Sequence, residues 1–273
     1  MENNNKLKEL HSKIIEIAKY FDSFCQENNI EYYLMGGSAL GAIRHKGFIP
    51  WDDDFDVFMT IDNYEKLLKL LGAKIDNSKF YLQKEKSIDW PMYFSKLRLN
   101  NTTFLETNSK HLKGHQGIFI DIMPLYYVSE NLVIRYIQYL CARILTAKSL
   151  YLRGYIENKS KIKSAFMFLS NLTLNNKVES ILISILKKKD RSNLVGHFFG
   201  KAPFNKTSFS TSWLGRARYV KFENTSLPVP SEVNKYLKLR FDDYMNVPKN
   251  VHQLYKFHAE LIDVERDYKY YVK

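Results

Sequence analysis

The chain has 273 residues, 45% of them hydrophobic and 15% aromatic, with 41 Lys+Arg against 29 Asp+Glu. This composition supports a buried core in one large domain or two small ones and excludes a disordered chain. Two cysteines in no paired spacing, Cys25 and Cys141, exclude a disulfide framework or a four-cysteine zinc site and point to a reducing cytoplasm.

The polar start of the chain shows no secretory signal, and the most apolar run, 132–145, is interrupted by Arg135 and Arg143, so no spanning helix is expected. Leu7, Leu10, Ile14, Ile17, Phe21 and Phe24 recur at three- and four-residue spacing and predict an amphipathic helix over 6–28. Residues 32–37 read as a short strand ending in a Gly-Gly turn, and 38–45 as a short helix with Ser38 at its N-cap. A strand is expected at 55–59, then a helix at 62–71 capped near Asp62, then strands at 80–84, 93–99 and 102–107. The run 117–125, GIFIDIMPL, is the most apolar strand, expected to stop at Pro124. Residues 131–190 are poor in glycine and rich in lysine, with apolar residues at helical spacing, and predict two or three helices. Loops and short strands follow over 191–234, and helices over 235–246 and 250–270. The fold class is therefore α/β (α+β), a mixed sheet flanked by helices. Three parts are expected: a catalytic core at 1–128, a basic helical segment at 129–195, and strands and helices at 196–273 that complete the catalytic domain.

Four of the five residues from Asp52 to Asp56 are aspartates, and they run directly into an apolar strand. Alternate residues of a strand share a face, so Asp54 and Asp56 point the same way, and Asp52 has the same parity. Two carboxylates side by side suit a hard divalent cation, which phosphoryl-transfer sites use with water and phosphate oxygens. An EF-hand fails here, because Val57 and Asn63 occupy the positions that need Gly and Glu. A Walker A loop starting at Gly36 fails because Ala42 and Ile43 stand where Lys and Ser/Thr are needed, and no dinucleotide fingerprint fits. Asp121, inside the most apolar strand, needs a partner or a metal, and could serve as a third ligand or as a general base.

The string MGGSALGAIRHKGFIPWDDDFDVFM at 35–59, followed by GIFIDIMPL and by the late segments YVKFENTSLPVP and YLKLRFDDYMNVP, resembles the LicD family of phosphotransferases, within the nucleotidyltransferase superfamily that also holds fukutin-type proteins. The resemblance covers 30–125 and 215–248, with Phe-Asp-Asp-Tyr where Tyr-Gly-Asp-Tyr is more usual. It implies transfer of a phospho-alcohol, often phosphocholine, from a CDP-linked donor to a hydroxyl of a cell-surface glycan, with release of CMP. Carried onto this sequence, it implies Asp54 and Asp56 as Mg²⁺ ligands (Mn²⁺ as substitute), with Asp52 beside them, and Asp121 as the third acid. Gly36, Gly37 and Ser38 then form the turn that holds donor phosphates, since a helix N-terminus favours anions.

Arg44 is a candidate phosphate contact or a surface ion pair, and Lys96 and Arg98 alternate on one strand face where they could flank the same site. Trp51 and Trp90 could stack on a base or belong to the core. The histidines show no metal-binding spacing; His45 reads as loop-positioning and His252 is unassigned.

Residues 126–221 hold 17 Lys+Arg against 4 Asp+Glu, which places the whole basic excess in the middle of the chain. Docking on the anionic inner face of a membrane, acceptor binding, and an ordinary solvated helical block all stay open for it. No recognised module supports nucleic-acid binding. Two other functions stay open: a metal-dependent glycosyltransferase, and a non-catalytic membrane- or glycan-binding protein.

Overall fold

The computed structural model describes residues 2–106, 114–154, 160–187, 191–247 and 258–272. The three- and four-residue spacing of apolar side chains winds helix α1 (Glu2–Glu27), whose Leu10, Ile14, Ile17 and Phe21 are buried in the main core. That helix lies on the central strands of a seven-stranded sheet. The strand order is β1 (Tyr33–Leu34), β2 (Asp56–Thr60), β6 (Phe119–Tyr127), β4 (Ser95–Leu99), β3 (Phe80–Gln83). Strands β2 and β6 run parallel, and the other pairs along this order are antiparallel. Parallel neighbours need a crossover, and helix α3 (Ile61–Lys74) begins it, packing on both strands. Strands β7 (Leu194–Gly196) and β8 (Ser208–Ser210) extend the sheet from the end of β6.

As the central strand, β6 is buried along nearly its whole length, with Asp121 and Tyr127 as its two partly exposed positions. Pro124 does not stop it. The Asp121 N–H points to β2, donating to Phe55 O at 2.9 Å, so by alternation the position of Pro124 faces the opposite side. There β4 pairs no further than Ile122 and β7 begins at Tyr126, so the missing N–H falls in a gap between ladders.

Helix α2 (Gly36–Arg44) starts two residues earlier than expected, with Met35 extended at its N-cap. Ser38 is thus inside the helix and not its cap, and its Oγ accepts the Asp56 backbone N–H at 2.9 Å. Helix α3 likewise has Thr60 at its N-cap, with Asp62 in its first turn.

Helices α4 (Leu132–Leu152), α5 (Lys161–Thr173) and α6 (Asn176–Leu186) are each capped by a side chain, from Asn131, Ser160 and Asn175. Helices α4 and α6 lean on a second apolar cluster that includes Tyr126, Ala142, Leu145, Leu186 and Phe198, and α5 packs on α4. The hairpin of β9 (Arg218–Phe222) and β10 (Thr225–Val229) leads to α7 (Val233–Phe241). The helix expected over 250–270 is not formed in its described part. Residues Ala259–Asp263 make β11, antiparallel to β5 (Thr103–Glu106), because β5 offers an unpaired edge that a late segment can complete. The expected start of that helix, 250–257, lies outside the described residues.

Candidate active site

The strand registers bring three charged side chains into one row. Asp56 is the Cα partner of Asp121 across the parallel β2–β6 pair, and Asp121 is the partner of Lys96 across the antiparallel β6–β4 pair. Paired residues share a face, so the order across the sheet is carboxylate, carboxylate, ammonium. Lys96 Nζ lies 2.8 Å from Asp121 Oδ1 and 3.6 Å from Glu106 Oε1. It also sits 3.2 Å from the centroid of the Phe119 ring, which caps the ammonium on its apolar side.

Asp54 keeps the parity of Asp56 and is partly exposed, with Oδ2 at 3.7 Å from His258 Nδ1. Asp53 is buried and accepts both the backbone N–H of His258 at 2.7 Å and its ring Nδ1 at 2.8 Å. His258 thus lies between the two, bonded to buried Asp53 and within reach of the more exposed Asp54.

The glycines of α2 let this acidic run approach its backbone. Gly36 has φ +52, a left-handed conformation that side chains rarely adopt. A Cβ on Gly37 would lie 2.7 Å from Asp52 Oδ2, so the Asp52 carboxylate packs directly over the helix start. The Gly36 N–H is already taken by the Tyr236 hydroxyl at 3.0 Å. The helix ladder begins with Ala39 N–H on Met35 O, which leaves the N–H groups of Gly37 and Ser38 in the first turn ahead of it.

Burial raises the Asp56 carboxyl well above its ordinary value, and the charges of Asp54, Asp121 and Asp52 push it further. Burial also raises Asp54 and Asp121, opposed by His258 at the first and by Lys96 at the second. A cation between Asp54 and Asp56 would relieve this accumulation of negative charge. Among the described residues no three His, Cys, Asp or Glu side chains form a ready-made ligand cluster. The donor set fits Mg²⁺, which takes one or two carboxylates and fills its shell with water and phosphate, better than it fits an all-protein cage.

The other sequence candidates lie as follows. Arg98 is buried on the same face of β4 as Lys96, with Nε donating to Gln83 Oε1 and Nη1 to Gly117 O, each at 2.7 Å. Arg44 donates from Nε to His45 Nε2 at 2.9 Å and from Nη1 to Tyr244 O at 2.8 Å, tying α2 to the segment after α7. Trp51 is half-buried beside the His45 ring, and Trp90 is a core residue whose Nε1 donates to Phe94 O. His252 lies outside the described residues. Glu106, Asp53, Tyr236 and His258 also belong to this region, and the sequence reading did not single them out. Glu106 stood at a strand end, and the other three gain their meaning from contacts across most of the chain.

The sheet sets Asp56 of β2 against Asp121 of its parallel neighbour β6, with Asp54 just before β2, beside a glycine-led helix. Residues 29–143 match the LicD/FKTN/FKRP nucleotidyltransferase domain. Lipopolysaccharide cholinephosphotransferase LicD of Haemophilus influenzae is 28% identical over 254 residues, covering 89% of this chain and 92% of that protein. The human ribitol 5-phosphate transferase FKRP is 34% identical over 115 residues, covering 41% of this chain and 20% of that protein. Asp54, Asp56, Lys96 and Asp121 all fall inside the matched domain, and Tyr236 and His258 fall after it.

Proposed function

We propose that this protein is a Mg²⁺-dependent phosphotransferase that moves a phospho-alcohol from a CDP-linked donor to a hydroxyl of a cell-surface glycan. Phosphocholine is the leading group, with glycerol or ribitol phosphate as alternatives, and teichoic acid, capsule or lipopolysaccharide as acceptor classes. The observation that carries the reading is the register of Asp56 against Asp121, with Asp54 on the same face. The names of the two relatives, a cholinephosphotransferase and a ribitol 5-phosphate transferase, support the choice of transferred group.

In this reading Asp54 and Asp56 hold the cation, which supplies the positive charge that lets an anionic pyrophosphate approach a row of carboxylates. The first-turn N–H groups of Gly37 and Ser38 face the same anion. Asp121 takes the proton of the acceptor hydroxyl, whose oxygen forms the new bond to phosphorus as the bond to CMP breaks. Lys96, fixed at 2.8 Å from Asp121, orients that carboxylate and balances its charge while no acceptor is bound.

Thermal melting with CDP-choline, CDP-glycerol, CDP-ribitol and UDP-glucose, each with Mg²⁺ or EDTA, tests the proposal. A metal-dependent rise with one CDP donor is expected, and it identifies the alcohol. A rise with UDP-glucose alone would replace this reading with that of a glycosyltransferase.

A further inference from the structure

Helices α4, α5 and α6 each bury one side and hold an apolar side in solvent. On α4 the exposed residues Val133, Ile137 and Leu140 follow at steps of four and three. On α5 the same steps join Ile162, Phe166 and Leu169, with Ile162 84% exposed. On α6 they join Val178, Ile181 and Ile185. The opposite sides, carrying Ala142, Leu145, Met167 and Leu186, are the buried ones. A helix on a soluble surface turns charged residues outward, and these turn leucine, isoleucine and phenylalanine outward instead. Both α5 and α6 pack against α4, so the three stripes belong to one block.

Charge selects the partner. Residues 131–187 contain nine Lys+Arg against two Asp+Glu, and one of those acids, Glu179, is paired with Lys148 at 2.6 Å. Lys161, Lys163 and Lys177 are exposed close to the apolar stripes. No described helix is long and apolar enough to cross a membrane. We infer that the α4–α6 block lies in the plane of an anionic lipid bilayer, with its stripes at the boundary of headgroups and acyl chains and its lysines among the lipid phosphates. A second copy of the chain is the poorer occupant, because it would bring the same basic excess against itself. The inference does not depend on the reaction proposed above.

Flotation of the whole protein with phosphatidylglycerol–phosphatidylcholine vesicles, compared with phosphatidylcholine alone, tests it. The protein should float with the mixed vesicles and lose about tenfold or more in affinity for the neutral ones, since each lysine near an anionic surface contributes substantially. Leu169→Glu with Ile181→Glu should cut flotation about tenfold or more without changing the melting temperature, because both side chains are solvent-exposed in the free protein. Ile88→Glu, at a fully exposed apolar position between β3 and β4 away from the block, should float like the parent. The inference is overturned if no vesicle binds, or if the double variant floats as well as the parent. It is also overturned if the parent is a dimer that the double variant converts to monomer while vesicles leave both unbound.

Discussion

Asp53 holds His258 by two bonds across 205 positions of sequence, through the backbone N–H at 2.7 Å and the ring Nδ1 at 2.8 Å. The contact places the start of β11 beside the acidic run, and β11 in turn closes the edge of β5, whose last residue is Glu106. The C-terminal segment is thereby tied to the same carboxylate cluster that β2 and β6 build.

Replacing Asp53 with alanine removes a buried acceptor and leaves the His258 N–H without it. The expected cost is about 1–3 kcal/mol of unfolding free energy, measured by denaturant titration. Hydrogen exchange should quicken at 259–263 more than in β2 or β6. Unchanged exchange in β11 would show that its pairing with β5 holds without the anchor.

Asp56→Asn should separate stability from function. The native carboxylate is buried among Asp54, Asp121 and Asp52, so a neutral side chain of similar shape removes repulsion and should match or raise the melting temperature in EDTA. The same variant should lose the stabilisation that Mg²⁺ and donor give the parent, and turnover should fall by roughly a hundredfold or more. An active Asp56→Asn enzyme would remove this residue from the metal site.

The Asp56–Asp121 row was legible in part, because an aspartate inside GIFIDIMP must find a partner, while Asp54 lies before the start of β2, where strand alternation no longer decides its direction. What the partner would be was not local. Lys96 meets Asp121 through a strand register, and His258 meets Asp53 through a chain reversal, and neither leaves a mark in sequence spacing. Serine before an apolar run favours the N-cap place, but Gly36, ahead of Ser38, reaches the left-handed region and starts the helix earlier. The local pattern of β11 favours a helix, and its strand character comes from the edge of β5, a tertiary cause that overrides that pattern. The roles of Arg44 and Arg98 as ties within the protein likewise depend on acceptors supplied by distant segments.

Lys96→Met should be among the most destabilising single changes in the chain. The ammonium is buried between Asp121 and Glu106, and its loss takes the cation from Asp121 and leaves Glu106 with Arg153 and Arg98 alone. A cost of roughly 3–5 kcal/mol is expected. Adding Glu106→Gln should recover part of it, because it removes a negative charge that repels the Asp121 carboxylate left without its cation. A double variant no more stable than Lys96→Met would show that Glu106 is served by other partners, Arg153 at 3.0 Å first among them.

Acid should unfold the protein in two limbs with different owners. Burial, then the charges of Arg240 and Arg143, hold the His197 imidazole down at about 4 against an ordinary 6.5. A histidine kept neutral in the fold stabilises fully above the unfolded value, and that contribution is lost as pH falls from 6.5 to about 4, to a limit of about 3 kcal/mol. His115, held down at about 3 by burial and Arg98, acts in the same direction. Glu106 behaves oppositely in charge: burial alone would raise it, but Lys96, Arg153 and Arg98 prevail and hold it at about 2 against an ordinary 4.5. Its contribution is complete above 4.5 and is lost as pH falls toward 2. Stability measured by urea titration across this range should therefore slope downward first through the histidines and then through the glutamate. His197→Gln should flatten part of the upper limb and leave the lower one, and Glu106→Gln should do the reverse. An upper limb of unchanged slope in His197→Gln would mean that the proton taken up there belongs to another group.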